Sequence, residues 1–243
     1  MIQIPGRNTF LESLRRGDTA MSAIICRRGI LMLLVAAMVF VAVAATAGET
    51  AWTGRLHVGY AAYKMESIND SIKIANSIAG GDFLDEIHGG LQYGAELGGR
   101  VTPSLVLGVG YTRLNGNSSF TGPGGTVEID VPANLWEGFF NWLIPRPGQT
   151  VFGFGGSVGV VATNTEFSST PIGEPNETAD ATGSSLAVSV FALVDIPLGQ
   201  VGLQIQAGYR MAKISDLEGT AVDSRDSLDY TGVFVRGAVR FGS

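Results

Sequence analysis

Glu96, Glu137 and Arg236 are charged residues in stretches that are otherwise apolar or small at every second position. A charge in such a setting needs a partner, because an unpaired buried ion costs several kcal/mol. Arg55, Arg100, Arg210 and Arg240 recur with the same alternation in their own stretches, as do His57, Gln92, Asn141, Asp195, Gln204 and Gln206. Two chemistries follow from such a set. Paired, the charges make a salt-bridge plug; hydrated and unpaired, they line a narrow ion path. Counted from the strand ends, Glu96, Glu137 and Arg236 fall at one level with His57 near it, and Arg55, Arg100, Asp195 and Arg240 fall lower.

Nucleophilic and metal chemistry are weaker readings. "GGSVG" at 155–159 has the G-x-S-x-G spacing of a hydrolase nucleophile elbow. That elbow needs a strand, a sharp turn and a helix, with a histidine and an acid in reach. Here the alternation continues through "VGVVATN", so Ser157 reads as a strand residue. His57 and His88 are the two histidines, one low and one near the opposite rim, whereas a metal wants three or four converging ligands. No metal or other cofactor is expected. His88 with an acid at the outer rim is the arrangement a lipid-modifying enzyme would require. Asp216, Glu218, Asp223, Asp226 and Asp229 lie together in sequence without EF-hand spacing.

These residues need a frame. The chain has 243 residues and a formal net charge of −6. Arg27 and Arg28 precede an apolar run that closes on Ala45-Thr46-Ala47, the order of a secretory signal peptide. Residues 1–47 are assigned to it, with Met21 as a plausible true start, and 48–243 form the mature domain. The single cysteine, Cys26, falls in the removed part, so no disulfide framework is expected. The acidic balance argues against a nucleic-acid partner.

Eight segments alternate with period two, near 52–62, 87–101, 104–114, 126–144, 151–165, 184–198, 201–213 and 230–241. In the fourth, Glu128 and Asp130 sit at even positions but Glu137 and Asn141 at odd ones, so a bulge near Pro132 is expected. Turns with proline or glycine ("TPS", "RPGQT", "PLGQ") alternate with long connections at 63–86, 115–125, 166–183 and 215–227. In the first of these, Met65, Ile68, Ile72, Ala75 and Ala79 have helical spacing. Glu66, Asn69, Asp70, Lys73 and Asn76 take the opposite face. The expected fold is all-β: an eight-stranded antiparallel up-and-down barrel with a short amphipathic helix on its first long loop.

Alternation alone leaves two barrels open, a soluble one with oil inside and a membrane one with oil outside. Three features favour the membrane: the glycines that interleave the polar face, the alternation of long and short loops, and the aromatics. Tyr60, Tyr93, Tyr111 and Tyr209 lie on the apolar face at matching heights, and Phe140, Trp142, Phe152 and Phe154 near the other rim. At ~3.3 Å per residue and a tilt near 40° the two belts stand roughly 20 Å apart, as bilayer interfaces require.

With its signal peptide, eight amphipathic strands and closing "VFVRGAVRF", the chain resembles the small outer-membrane barrels of the OmpA and OmpX type. It departs from them where Gly242 and Ser243 follow Phe241, since such proteins usually end on an aromatic residue read by the insertion machinery. The resemblance implies a bacterial outer-membrane location with both termini in the periplasm. It implies outer-membrane lipid, lipopolysaccharide and the barrel-insertion machinery as partners. The expected role is structural or surface-interactive, with a side-chain-filled lumen and no enzymatic activity. A narrow channel, a lipid-modifying enzyme and a soluble lipocalin-like ligand binder are the competing classes.

Overall fold

The alternation is realised as a closed sheet in the computed structural model, which describes residues 52–81, 83–122, 125–144, 150–171, 177–199, 201–215, 217–219 and 227–242. The signal-peptide assignment, Met21 and Cys26 lie outside these residues, as do Asp216, Asp223 and Asp226. The elements run β1 (Trp52–Ala62), α1 (Glu66–Ala79), β2 (Gly89–Thr102), β3 (Leu105–Leu114), β4 (Asn117–Gly122), β5 (Gly125–Asp130) and β6 (Ala133–Ile144). They continue with β7 (Val151–Pro171), β8 (Glu177–Leu198), β9 (Val201–Ile214), β10 (Glu218–Gly219), β11 (Leu228–Asp229) and β12 (Gly232–Gly242).

Eight of the strands close on themselves in the order β1, β2, β3, β6, β7, β8, β9, β12, with every neighbouring pair antiparallel. The joint is β1 against β12, from Thr53 opposite Gly242 to Ala61 opposite Phe234. At one rim the connections are tight. Thr102 Oγ1 accepts from the Ser104 and Leu105 amides at 3.3 and 3.0 Å, which bends the chain around Pro103. Gly199 turns the β8–β9 hairpin at φ 80°.

At the other rim the sheet does not stop. β7 and β8 pair from Val151–Asp195 out to Ser169–Glu177, well past the residues that pair with β6 and β9. The β4–β5 hairpin pairs through β5 with the overhang of β7, and β10 pairs with that of β8. Two expectations are corrected here. The stretch 126–144 is not one bulged strand, because Val131 and Pro132 end β5 and the barrel strand β6 starts at Ala133. Proline cannot donate to a ladder, so the phase change marks a break between two strands. The stretches 115–125 and 166–183 are largely paired strand, not irregular loop.

The helix α1 follows Met65, which adopts φ 44°, and ends on Gly80 at φ 79° with its amide bonded to Asn76 O at 3.0 Å. Its buried stripe is shorter than expected, with Met65 and Ile72 buried and Ile68 packed against them, while Ala75 is exposed. Asn69 and Asn76 do not face water as their polarity suggested. Asn69 is buried; its amide donates to Ile87 O at 3.1 Å and accepts from Ile87 N at 2.7 Å. Asn76 accepts from the Phe83 and Leu84 amides at 3.1 and 3.0 Å. Both asparagines clamp the returning segment, so an unpaired stretch of backbone stays satisfied under the helix.

Candidate functional site

Strand parity decides what enters the lumen. Along β9, Gln204, Gln206 and Arg210 are buried while Leu203, Ile205, Tyr209 and Met211 are exposed. The same split holds on β6, where Glu137, Phe139 and Asn141 point in and Trp136, Phe140 and Trp142 point out. Polar groups inside and apolar groups outside is the reverse of a soluble barrel that holds an apolar ligand.

Arg236 is the hub of the lumen. Its Nη2 lies 2.6 Å from Glu96 Oε1, its Nη1 3.7 Å from Glu137 Oε1, and its Nε donates to Gln206 Oε1 at 2.6 Å. His57 Nε2 is 3.5 Å from Arg236 Nη1 and 3.2 Å from Thr112 Oγ1. Glu137 also accepts from the hydroxyl of Ser157, which places that serine in the charge network with its proton already given to a carboxylate. The three residues assigned to one level meet there.

Arg55, assigned lower, is the direct cross-strand partner of Glu96 on the β1–β2 pair. Its Nη2 is 3.0 Å from Glu96 Oε2, and its Nη1 donates to Gln204 Oε1 at 2.7 Å. With its amide oxygen turned to the guanidinium, Asn141 accepts from Arg55 Nη1 at 2.7 Å. Beneath this layer Arg240 Nε pairs with Asp195 Oδ1 at 3.2 Å. Arg100 sits half-buried near the tight-turn rim, with no ion pair among the described residues. Arg210 lies above the hub and donates through Nη2 to Gln92 Oε1 at 3.1 Å. Gly94 is what lets the ring of His57 lie flat on the wall, since a Cβ there would stand 2.8 Å from His57 Nε2.

Aromatic rings interleave these cations. Arg55 lies over Phe139 at 4.6 Å and Arg210 over Phe234 at 5.0 Å; Arg236 is 5.8 Å from Phe191 and 5.6 Å from Phe234. Phe191 and Phe234 have lumen parity in the sequence, but only their neighbours' charges were read as organised. Their signal was an aromatic at a position otherwise polar.

The mouth above Arg210 is closed by a second, apolar layer that sequence reasoning missed. Leu114, Val131, Leu135, Val161, Ala187, Ile214, Leu228 and Tyr230 are buried there, joined by Tyr63, Met65, Ile72 and Ile87 of the helical segment. Tyr63 packs edge-on against Tyr230 at 5.3 Å, and Tyr230 donates to Val131 O at 3.0 Å. Burial pushes both phenols well above their ordinary range, and for Tyr63 the charge of Arg210 works against that shift. Apart from the four of the helical segment, the residues come from six segments, each contributing one or two positions at the end of a lumen-facing row or just beyond it, so no segment announces the layer by itself.

On the outer surface, Tyr60, Tyr93 and Tyr209 are exposed on one level, and Phe140, Trp142, Phe152 and Phe154 on another. Tyr111 is only half-exposed, because it stacks on Trp136 at 4.7 Å and donates to Asn134 Oδ1 at 2.8 Å. Trp136 joins the upper level and Trp52, opposite Gly99, the lower one; neither was assigned to a belt. Between them Leu56, Val58, Leu97, Val158, Leu186, Val190, Ile205 and Val235 remain exposed. His88 is exposed beyond the barrel, 3.7 Å from Glu86 and remote from the lumen carboxylates. Among the described residues, no three metal-ligating side chains converge.

No family model and no curated protein matches the chain. Among solved structures, it is similar to neisserial surface protein A (NspA), at 12% identity and a TM-score of 0.39, covering 79% of this chain and 95% of that one. It is also similar to Ail, the attachment invasion locus protein of Yersinia pestis, at 13% identity and a TM-score of 0.44, covering 78% and 99%.

Proposed function

We propose that this chain is an integral outer-membrane barrel whose lumen is sealed and whose work is done by the sheet it raises above the bilayer. The observation that carries the reading is the exposed apolar surface. Val58, Leu186, Val190 and Val233 are each at least 55% exposed, and aromatic residues bound the band they form. A soluble protein rarely leaves so large a contiguous patch in water. In a bilayer it is the face that meets lipid, and closure of the sheet satisfies every strand-edge amide that lipid would orphan.

The rim of tight turns then faces the periplasm with both ends of the barrel, and the paired overhang of β4, β5, β7, β8 and β10 faces outward. Lys64 and Lys213, exposed just beyond the upper aromatic belt, would meet lipopolysaccharide phosphates. Two stacked seals in the lumen favour a structural or surface-interaction role over conduction. Since Ser157 and His57 are enclosed with the charges that hold them, they support no enzyme reading.

Fractionation of the expressed protein, with boiled and unboiled samples on one gel, tests the proposal. Recovery in the outer membrane with a band that shifts on heating is the expected result. Release into the soluble periplasm with no shift would overturn it.

A further inference from the structure

Among the described residues, the lumen holds more cationic than anionic side chains. Arg55, Arg100, Arg210, Arg236 and Arg240 face Glu96, Glu137 and Asp195, and each of the three carboxylates already has an arginine beside it that is not Arg210. Arg210 is left over. It is 1% exposed, and of its three nitrogens only Nη2 has a hydrogen-bond partner; Nε and Nη1 have none. Beside it lies the face of Phe234, which attracts a cation but accepts no directed hydrogen bond of full strength, and Glu137 acts on it from beyond ion-pair distance.

The surroundings are donors as well. Gln92 is fully buried and spends its carbonyl oxygen on Arg210, so its amide nitrogen remains, without a partner. Ser189, directly across the β8–β9 pair from Arg210, has a buried hydroxyl that is also unpartnered. A guanidinium cannot accept a hydrogen bond, and the Gln92 amide nitrogen can only donate. Water would satisfy these donors but bring two protons of its own, for which the Ser189 and Tyr63 hydroxyl oxygens are the free acceptors, and it would leave the charge of Arg210 without a counter-ion. An anion needs no acceptor and also offsets the leftover charge.

We propose that the lumen holds a single monovalent anion of the halide class against Arg210 Nε and Nη1, with the Gln92 amide nitrogen and the Ser189 hydroxyl completing its shell. A divalent oxyanion would lose far more hydration energy on entry, which selects for monovalent, weakly hydrated ions. The apolar layer with Tyr63 and Tyr230 roofs the site, so the ion is trapped and structural. The proposal concerns the folded barrel itself and stands apart from where in the cell the barrel resides.

The probe is bromide, added to the full barrel refolded in detergent micelles at constant ionic strength. Whatever binds only the folded state raises its stability with concentration. The heat-shift midpoint of the unaltered chain should rise with bromide, and that of Arg210→Met should not. Gln92→Glu puts a fixed negative charge beside Arg210 and turns the amide donor that would hold the ion into a carboxylate oxygen that repels it. Its midpoint should start higher and be indifferent to bromide, and it decides the matter if Arg210→Met fails to fold. Crystals grown from bromide should show an anomalous peak within hydrogen-bond reach of Arg210, absent in Gln92→Glu. No peak there, or an equal bromide response in the unaltered chain and Gln92→Glu, would overturn the proposal.

Discussion

The barrel is filled twice, by two materials. Its lower and middle lumen is a charged lattice centred on Arg236, and its mouth is an apolar layer capped by Tyr63, Tyr230 and α1. The lattice is made of groups that must all be present, because each ion is there to compensate another. The layer is made of groups that contribute singly, each roughly by the surface it removes from water. Sealing a pore with charge therefore gives a brittle seal, and sealing it with hydrocarbon a graded one.

The largest effect should come from breaking the lattice at its hub. Arg236→Leu leaves Glu137 with the Ser157 hydroxyl and no ion pair within 4 Å, and Glu96 with Arg55 and the His57 ring, and should cost about 3–5 kcal/mol in denaturant unfolding from micelles. Adding Glu96→Gln and Glu137→Gln should return part of that loss, so the triple variant is more stable than the single one. If the substitutions simply add, the lattice is not a coupled unit. The mouth should behave otherwise. Leu114→Ala, at a fully buried position, should cost about 2–4 kcal/mol, and no second substitution in the lattice should rescue it.

The smallest effect sharpens the contrast through pH. Folding raises the Tyr63 and Tyr230 phenols by burial, so the stability they contribute is complete below the ordinary phenol value of about 10 and declines as pH rises through their folded values. The protection of the α1 amides, relative to their base-catalysed intrinsic exchange, should fall in that alkaline window. The double variant Tyr63→Phe, Tyr230→Phe should flatten the response. An unchanged alkaline profile would mean that the two phenols do not hold the lid.

This difference in materials also explains what could be read from the chain beforehand. The lattice and the barrel were legible because both ride on the period of two. Glu96, Glu137 and Arg236 meet because strand parity and distance from a turn fix direction and height, and nothing else is needed. The same reasoning separated Arg55 from Glu96, because it counted each strand from its own end, whereas the β1–β2 register makes the two direct partners. Asn69 and Asn76 misled in the opposite way, as polarity was taken for solvent exposure when their amides were needed by the buried return from α1. The apolar layer rides on the period of two only in part: Leu114, Leu135 and Ile214 continue the buried rows of β3, β6 and β9. Tyr63, Val131 and Tyr230 belong to irregular backbone between elements, and they are brought together only by closure of the barrel. The overhang of β7 and β8 was hidden by its composition, where serine, threonine and glycine mimic a loop although the backbone stays paired.

That overhang gives the sheet two different topologies along one pair of strands. Between the aromatic belts, Thr53 to Ala61 of β1 meet β12, and the sheet is a cylinder without a border. Higher up it has opened into a ribbon, and among the described residues β4 and β10 are its outermost strands, each paired on a single side. A border of unpaired amides and carbonyls is intolerable in hydrocarbon and harmless in water. The level at which the cylinder unrolls therefore reads as a depth gauge written in the backbone alone. In the bilayer proposed above, it would set the waterline of the protein at the Tyr60, Tyr93 and Tyr209 ring without reference to a single side chain's polarity.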